Sequence, residues 1–545
     1  MTTPGTGPAA NKVYGIDLGT TYSCIAQVDE YGRPAVIPNA DSQPATPSVV
    51  MFDSPTDIVV GIQAKRNARV RPDDVVSLVK RHMGDDDWRV RVHGQDYSAP
   101  AISSLILRAL TTDAERATGQ TVTDVVITVP AYFGDAERKS TKLAGELAGL
   151  NVVDIINEPT AAAFAYGFAQ TGDIAEETVL VYDLGGGTFD VTVIKLATKK
   201  IQVVATDGDH ELGGADWDDQ LTTYLSAQFV AEQPEAGDPL DDSYGAQDLL
   251  TMAEETKQSL TGREQVDAFV IHNGGRASIT VTRQAYEELT SSLLERTLEL
   301  TRRVLATAAE RGAPTIDKVL LVGGMSKSPA VARRLQEEFG FNPQLADPDL
   351  AVAKGAAIYG QKKELEAYVE SATGVDKDVA VRDAAAKYGL SATAAAQLVD
   401  TEVSNVTSRG FGLSLADSSG QLYVEFLAHA NDTLPVESEQ RFFTVADNQT
   451  EVLVEVYEQA TADESERLGD NKKIVEGRLM GIPSGQPKGS PVDVRFSMAR
   501  DQTIEVTARH SALSQPLVLR VEAGMASDEV RQAERAKVDL LKPKA

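Results

Sequence analysis

Two short stretches bring acids, glycines and hydroxyls together at the ends of apolar runs. Residues 13–23 read VYGIDLGTTYS, and residues 181–190 read VYDLGGGTFD. Each stretch places an Asp-Leu-Gly turn after a predicted strand, with threonine just beyond it. Glycine leaves room for backbone N–H groups to converge on an anionic oxygen. Two such turns could hold one polyphosphate from both sides.

The side chains around these turns indicate the chemistry of the site. The hydroxyls of Thr20, Thr21 and Thr188 supply hydrogen-bond donors for phosphate oxygens. Asp17 and Asp183 would repel phosphate, so we interpret them as partners of a divalent cation or of its water molecules. One turn alone would be an ordinary hairpin whose glycines serve only its geometry. The presence of two matching turns in one chain favours a nucleotide site with Mg²⁺.

A third glycine pair lies in VLLVGGMSKSP, residues 319–329. It follows a predicted strand and precedes a predicted helix, whose N-terminus could face a nucleotide. Many strand-to-helix turns contain glycine, so this pair is a weak signal alone. Together with the two turns it completes a predicted pocket between two lobes.

The elements that must position these residues alternate between strand and helix. This alternation restarts at ETVLVYDLGGGTFDVTVIKLA, which predicts two related α/β lobes. An Ala-rich helical stretch follows, and after it seven short alternating segments predict an antiparallel β-sandwich. We therefore divide the chain into a disordered N-terminus (1–11), a nucleotide-binding domain (12–365), a helical insert and linker (366–409), a β-sandwich (410–524) and a short charged helical tail that buries little (525–545).

Composition excludes several classes of function. The chain has 545 residues and a formal net charge of -29, which argues against binding nucleic acid or anionic lipid. Its one cysteine, Cys24, cannot form an intrachain disulfide, and we interpret it as a core residue. Neither a signal peptide nor a membrane span is evident in the apolar runs. We expect a cytoplasmic monomer.

Seven motifs then identify a family. IDLGTTYSC, VPAYF, INEPTAAAFAYG, YDLGGGTFD, LGGADWD, LVGGMSKSP and GAAIYG occur in this order. The chain thereby resembles the DnaK-like, seventy-kilodalton heat-shock chaperones, strongly over residues 12–362 and moderately over 410–524. The resemblance implies an actin-like, ribonuclease-H-like two-lobed α/β ATPase domain followed by an antiparallel β-sandwich that holds extended apolar peptides. ATP or ADP with Mg²⁺ would be its cofactors, and K⁺ is a further candidate ion.

The resemblance also implies roles for individual residues. Lys80 in SLVKRHMG matches the family's catalytic lysine, and Glu158 in NEPTA matches the acid near the attacking water. The expected catalytic residues are Lys80, Glu158, Asp183 and Thr188, and the expected metal partners are Asp17, Asp183 and Asp190. The expected phosphate loops are Gly19, Thr20, Thr21 and Tyr22, and Gly185, Gly186, Gly187 and Thr188. The remaining nucleotide contacts would be Gly213, Gly214, Glu254, Lys257, Gln258, Thr261, Gly323, Gly324, Met325, Ser326, Lys327 and Asp349.

Gln258 departs from the family pattern, because family members usually carry an arginine there that stacks on adenine. An amide stacks less well than a guanidinium, so we expect weaker nucleotide affinity. Pro159 and Arg138 match the family's switch proline and interdomain contact, although a strand-ending proline and a helix-face arginine would look the same. The expected peptide-groove residues are Phe442, Val445, Val452 and Val454, for which ordinary sandwich core is an equal alternative.

Further features of the sequence concern coupling and partners. The linker reads AQLVDTEVSNVTSRGFGLSL and follows the Ala-rich insert, so its contact with the ATPase domain would be formed differently or lost. The insert also resembles a helix-turn-helix around Gly389, but its low basic content favours a helical interaction segment over DNA binding. At the position of Asp154, family members usually carry an arginine that pairs with J-domain co-chaperones. The reversed charge should weaken binding of a J-domain co-chaperone to this chain. Only 21 residues follow Gly524, too few for the family's helical lid.

The favoured function is an ATP-dependent, chaperone-like protein with slow ATPase activity, in which nucleotide state controls binding of extended apolar peptide or unfolded protein. A nucleotide-exchange factor is an expected partner. One alternative is a nucleotide-dependent switch that serves a dedicated partner protein without general chaperone activity. A small-molecule kinase of the same superfold is a further alternative, but it gives the appended β-sandwich no use.

Overall fold

The computed structural model describes residues 12–29, 31–169, 175–417, 419–461, 463–521 and 528–544. The segment 1–11, expected to be disordered, lies outside these ranges. Among the helices of the described ranges, none combines the length and apolar content needed to cross a membrane. The expected mixed α/β architecture with several sheets is confirmed.

The first lobe contains a mixed six-stranded sheet. Its strands, with those of smaller sheets nearby, are β1 (Val13–Asp17), β2 (Tyr22–Val28), β3 (Pro34–Ile37), β4 (Thr46–Pro47), β5 (Val50–Phe52), β6 (Asp57–Val60), β7 (Val75–Val76), β8 (Val90–Val92), β9 (Gln95–Tyr97), β10 (Asp124–Val129) and β11 (Asn151–Asn157). Its helices are α1 (Ile62–Asn67), α2 (Ala99–Thr118), α3 (Asp135–Leu147) and α4 (Glu158–Ala169).

The second lobe contains a second six-stranded sheet. The strands of this lobe are β12 (Glu177–Leu184), β13 (Phe189–Ala197), β14 (Lys200–Asp209), β15 (Gln265–His272), β16 (Gly275–Thr282), β17 (Lys318–Val322) and β18 (Pro343–Leu345). Its helices are α5 (Gly214–Glu232), α6 (Ser243–Gly262), α7 (Arg283–Leu289), α8 (Ser291–Glu310) and α9 (Pro329–Phe339). The long helix that follows, α10 (Ala351–Ser371), returns to the first lobe and packs on α4, β1 and β2.

The two large sheets share one topology. The first runs β11-β10-β1-β2-β3, and the second runs β18-β17-β12-β13-β14. In each, the first strand pairs antiparallel with the next strand of the chain and parallel with a strand that arrives after a helix. The two Asp-Leu-Gly turns therefore occupy equivalent positions, each between the first two strands of its sheet.

The Ala-rich insert continues the core of the lobes. It forms α11 (Lys377–Tyr388) and α12 (Ala392–Asp400), which pack on α10. Val381 and Leu398 are buried in one apolar cluster with Val181 of β12 and Ile358 of α10. The chain then forms β19 (Glu402–Ser404), which pairs in parallel with β14 at the edge of the second sheet. The linker contact that the sequence left open is therefore present as an added strand.

Asp400, at the end of α12, fastens the insert to the second lobe. Its carboxylate accepts hydrogen bonds from Lys377 Nζ at 2.9 Å and from Lys199 Nζ at 3.1 Å. The buried Lys362 of α10 donates to the Leu398 carbonyl at 3.1 Å and so satisfies the C-terminal end of α12. Ion pairs and apolar burial thus hold the insert in place together.

Two four-stranded antiparallel sheets follow the linker. Their strands are β20 (Phe411–Ala416), β21 (Leu422–Ala428), β22 (Val436–Phe443), β23 (Glu451–Gln459), β24 (Asn471–Met480), β25 (Pro491–Met498), β26 (Ile504–His510) and β27 (Leu517–Val521). The sheets run β21-β20-β23-β24 and β22-β25-β26-β27, and they share a core that includes Val456 and Phe496. Seven strands were predicted; β20 is the additional one, and it follows directly on the linker.

The C-terminal segment docks on the first lobe, through α13 (Asp528–Val538) and β28 (Lys542–Pro543). Val538 and Leu541 are buried in the core of that lobe, and β28 pairs with β6. Ser98 also donates to Glu534 at 2.7 Å. The expectation that this tail buries little is wrong, because two apolar residues three positions apart at its end enter a core made by distant residues.

Candidate functional site

A cavity of about 1090 Å³ lies between the two lobes, where the carboxyl ends of their strands meet. Most of the predicted nucleotide-site residues line it. They are Asp17, Gly19, Thr20, Thr21, Tyr22, Lys80, Glu158, Asp183, Gly185, Gly186, Thr188, Gly214, Glu254, Lys257, Gln258, Thr261, Gly323, Gly324, Met325, Lys327 and Asp349. The fold therefore gathers residues from across more than 300 positions of the chain into one space.

Four predicted residues lie behind the walls of this cavity. Gly187 and Gly213 back onto each other, since a Cβ on Gly213 would lie 2.5 Å from the Gly187 backbone nitrogen. Ser326 Oγ donates to the Val322 carbonyl at 2.5 Å, which holds a turn rather than a ligand. Asp190 lies below the cavity floor, where its Oδ1 accepts a hydrogen bond from the Ala131 backbone at 3.0 Å.

The two glycine turns touch each other across the cavity. A Cβ on Gly186 would lie 2.1 Å from Thr21 Oγ1, and one on Gly187 would lie 2.3 Å from Thr20 Cγ2. Real side chains do not approach this closely, so glycine is required here for the loops to meet. Both turns therefore line one concavity, and a concave surface built from such turns can bind an anion through backbone N–H groups.

A buried ion pair forms the floor of the cavity. Lys80 lies in a 3₁₀ turn (Val79–His82) of the first lobe, and Glu158 is the first residue of α4. Lys80 Nζ and Glu158 Oε1 are 2.5 Å apart, and their side chains are only 5% and 8% exposed. Burial lowers the pKa of Lys80, but the nearby Glu158 and Asp17 carboxylates outweigh it and hold that pKa above its usual value. The lysine therefore stays charged.

Three aspartates surround this pair. Burial, followed by the charge of Glu158, raises the pKa of Asp17 to about 7. The same two causes raise the pKa values of Asp183 and Asp190 well above their usual range. No donor among the described residues reaches the buried Asp190 Oδ2. Carboxylates crowded in this way lack compensating positive charge, which a cation in the cavity would supply.

The carboxylates of the cavity could hold Mg²⁺ only together with water molecules and phosphate oxygens. Among the described residues, no group of three or more acidic, histidine or cysteine side chains could hold a metal ion without help. Mg²⁺, however, usually keeps several waters and takes other ligands from phosphate, with one or two carboxylates nearby. Asp17 and Asp183 line the cavity and could fill that role.

The opposite wall consists of linked charged side chains. Glu254 pairs with Lys65 of α1 at 2.6 Å and accepts a hydrogen bond from the Gln258 amide at 3.2 Å. Lys257 pairs with Asp218 at 2.7 Å. Lys65 and Asp218 were not predicted. Asp218 ends the quoted motif LGGADWD, but its pairing with Lys257, like that of Lys65 with Glu254, is recognisable only from the partner in another helix.

The two expected relay residues lie next to the ion pair. Arg138 is buried, and its guanidinium donates to Asn157 Oδ1 at 2.5 Å and to the Phe133 carbonyl at 3.1 Å. Burial lowers the pKa of Arg138 to about 10. Pro159 follows Glu158 as the second residue of α4 and is also buried. The Phe133 carbonyl also accepts a hydrogen bond from Ser408 of the linker at 3.3 Å.

The β-sandwich contacts both lobes. On the first, Asp135 at the start of α3 donates its backbone N–H to Glu458 at 3.1 Å, and Arg409, the last residue of the linker, pairs with Glu137 at 2.9 Å. On the second, the Thr206 backbone donates to Asn431 at 2.8 Å. The sandwich thus rests on the same helix that carries Arg138.

The four predicted peptide-groove residues differ in exposure. Val454 is buried in the sandwich core, while Phe442 and Val452 are half-buried against that core. Val445 is 56% exposed. Of the four, Val454 therefore offers no free surface.

Asp154, at the expected co-chaperone position, is engaged within the chain. It pairs with Lys363 at 2.9 Å and accepts a hydrogen bond from Tyr359 at 2.8 Å. Burial, followed by the charge of this carboxylate, raises the pKa of Tyr359.

One comparison with known proteins places these features together. A family model described as Hsp70 protein matches residues 13–89, 85–371 and 362–539. The matched segments include both glycine turns, the Lys80–Glu158 pair, the linker strand and the β-sandwich. Because the match spans nearly the whole chain, the protein belongs to the Hsp70 family, whose members are ATPases that bind ATP or ADP with Mg²⁺ and act as ATP-dependent chaperones on peptide substrates.

Proposed function

We propose that this chain binds MgATP between two actin-like lobes, hydrolyses it slowly, and uses the nucleotide state to control how its β-sandwich holds extended apolar peptide. The observation that carries the proposal is the meeting of both glycine turns, the buried Lys80–Glu158 pair, Asp17 and Asp183 in one cavity. We take the division at residues 12–365, 366–409 and 410–524 as the proposed domain scheme.

The residues of the chain would act mainly by position and charge. Backbone N–H groups of the two turns bind phosphate oxygens, and the Lys80 ammonium offsets charge that develops on the transferred phosphoryl group. Glu158 holds Lys80 in place and accepts a hydrogen bond from it, which orients the pair toward the cavity. Bound Mg²⁺ would neutralise phosphate charge beside Asp17 and Asp183.

Slow turnover follows from the state of the nearest acid. Glu158 is already paired with Lys80 at 2.5 Å, so it is a weak acceptor for a proton from water. The site therefore orients water without a strong general base. We propose hydrolysis slow enough for the nucleotide state to act as a timer for peptide binding.

A chain of contacts supports coupling to the sandwich. Asn157 immediately precedes Glu158 and binds Arg138, which shares the Phe133 carbonyl with Ser408 of the linker. A shift of Glu158 on hydrolysis would therefore reach the linker through three hydrogen bonds. Spatial continuity supports this route, and a measured coupling energy is its test.

Peptide-dissociation kinetics test the function. A fluorescent extended apolar peptide is bound to wild type and to Thr188→Ala, and its release is followed with ADP and with ATP. We expect ATP to accelerate release at least about tenfold from wild type and much less from the variant. Identical rates in all four conditions would reject coupling. Failure of wild type to release phosphate from ATP would reject the enzyme.

A dedicated-partner switch is the second candidate. The burial of Val454 leaves Val445 as the most exposed of the four groove residues, which favours a narrow choice of ligand. A panel of unrelated apolar peptides separates the two functions. Binding of most of them favours the general chaperone, and binding of none, with nucleotide-dependent domain movement retained, favours the switch.

A further inference from the structure

Arg81 reaches across the cleft to the back of the second glycine turn. It follows Lys80 in the same 3₁₀ turn of the first lobe, and its side chain is 15% exposed. Its Nε donates to the Gly187 carbonyl at 3.0 Å. Its two terminal nitrogens donate to the carboxylate of Asp216 in the second lobe, at 3.2 and 2.5 Å. One guanidinium thus makes three bonds to the opposite lobe.

Each of the three glycine carbonyls of this turn accepts a hydrogen bond from elsewhere in the chain. The backbone nitrogens of Gly214 and Ala215, at the start of α5, donate to the carbonyls of Gly185 and Gly186 at 2.9 and 2.8 Å. Those two anchors belong to the same lobe as the turn. The third carbonyl, that of Gly187, accepts its hydrogen bond from Arg81, and this anchor comes from the other lobe.

Because the peptide bond is planar, the direction of the Gly187 carbonyl also determines the direction of the Thr188 N–H. In a trans peptide the N–H of one residue points opposite to the carbonyl of the residue before it. Arg81 and Asp216 lie outside the set of described residues that line the cavity, whereas Thr188 lines it. Holding the Gly187 carbonyl backward therefore directs the Thr188 N–H forward, to the side where phosphate would bind.

Asp216 fixes the position of the Arg81 guanidinium. Its carboxylate also accepts a hydrogen bond from the Gly213 backbone at 2.7 Å, and its own N–H donates to the Gly213 carbonyl at 2.8 Å. The acid is thereby fixed at the first turn of α5. An arginine can donate to a carbonyl and to both carboxylate oxygens at once, because its donors form a rigid planar fork; a lysine ammonium lacks that fork.

We propose that Arg81 is a positioning residue for ATP hydrolysis, which orients the Thr188 peptide only when the two lobes are closed. This inference rests on the proposed function. It adds a consequence: the catalytic Lys80 and the anchor Arg81 are adjacent in one turn, so closure brings both to the second lobe in a single movement.

The test compares Arg81→Ala and Arg81→Lys with wild type, using the full chain in single-turnover ATP hydrolysis and in nucleotide titrations. The control is Arg91→Ala, which removes an exposed arginine whose side chain is 72% accessible. We expect both Arg81 variants to hydrolyse bound ATP about 10- to 100-fold more slowly, with KM changed less than about threefold. Arg91→Ala should match wild type.

If Arg81 only held the two lobes together, its substitution would raise KM and lower the unfolding temperature, while bound ATP would be hydrolysed at the wild-type rate. That result would overturn the proposal. If Arg81→Ala fails to fold, Arg81→Lys, which keeps the charge, carries the same comparison. Absence of hydrolysis by wild type would instead refute the proposed function.

Discussion

Replacing Asp17 with asparagine should stabilise the nucleotide-free protein at neutral and alkaline pH. Burial and the charge of Glu158 raise the pKa of Asp17 from 3.8 to about 7. An acid whose pKa is raised by folding costs nothing while it is protonated in both states. Stability is lost as pH rises from about 4 to about 7, and the full cost applies above that range.

The magnitude follows from the size of this change. A rise of about three pKa units corresponds to about 4 kcal/mol at pH 8, because each unit is worth about 1.4 kcal/mol. Asp17 faces a cavity open to solvent, so water reduces this cost and we expect about 2–4 kcal/mol. The advantage of the variant should shrink to about 2 kcal/mol or less at pH 5. Asparagine keeps an oxygen that can accept the 3.3 Å hydrogen bond from Thr128.

Thermal unfolding in the presence of a chelator measures this effect. We expect Asp17→Asn to unfold roughly 4–8 °C above wild type at pH 8 and distinctly less above it at pH 5. The exposed Asp86→Asn serves as the control and should show no such difference. With MgATP the order should reverse, because the ion requires an ionised carboxylate. A variant that is less stable than wild type at pH 8, or an advantage independent of pH, would refute this reasoning.

Three other predictions concern the ion pair, the loops and the domain contact. Lys80→Ala leaves the buried Glu158 carboxylate unpaired, so urea unfolding should show a loss of about 3–5 kcal/mol; an unchanged midpoint would contradict this. Gly187→Ala places a Cβ 2.3 Å from Thr20 and should weaken ATP binding about 100-fold in calorimetry, whereas wild-type affinity would mean that the loops need not touch. Burial raises the pKa of Glu458 from 4.5 to about 7, so docking of the sandwich should weaken as pH rises from about 4.5 to about 7 in wild type but not in Glu458→Gln. Small-angle scattering would show this as a radius of gyration that depends on pH only in wild type.

Local sequence was sufficient for the parts of the site that lie on single turns. The two glycine turns, Lys80 and Glu158 are each marked by residues within about ten positions, and all of them reach the cavity. The strand and helix alternation likewise predicted the mixed α/β architecture, because its periodicity is a local property.

The features that sequence reasoning missed depend on distant partners. Lys65 is recognisable only beside Glu254, and Arg81 only beside the Gly187 carbonyl. The linker strand takes its identity from the free edge of β14, 200 positions earlier in the chain. Burial of Val538 likewise depends on a surface formed by α2 and α3. Such pairings follow from tertiary packing, which no short window of residues encodes.

The packing of the insert on α10 sets where an isolated ATPase fragment must end. A fragment cut after residue 365 would lose Val381 and Leu398 and would bare the apolar side of α10 that they cover. Newly bared surface of this kind promotes self-association. Both this fragment and the fragment 12–404 lack α13 and β28, so comparing them isolates the effect of the insert. We expect 12–365 to aggregate on gel filtration distinctly more than 12–404, which keeps the insert and β19. What looks like an appendage to the catalytic half would then cover part of its apolar core.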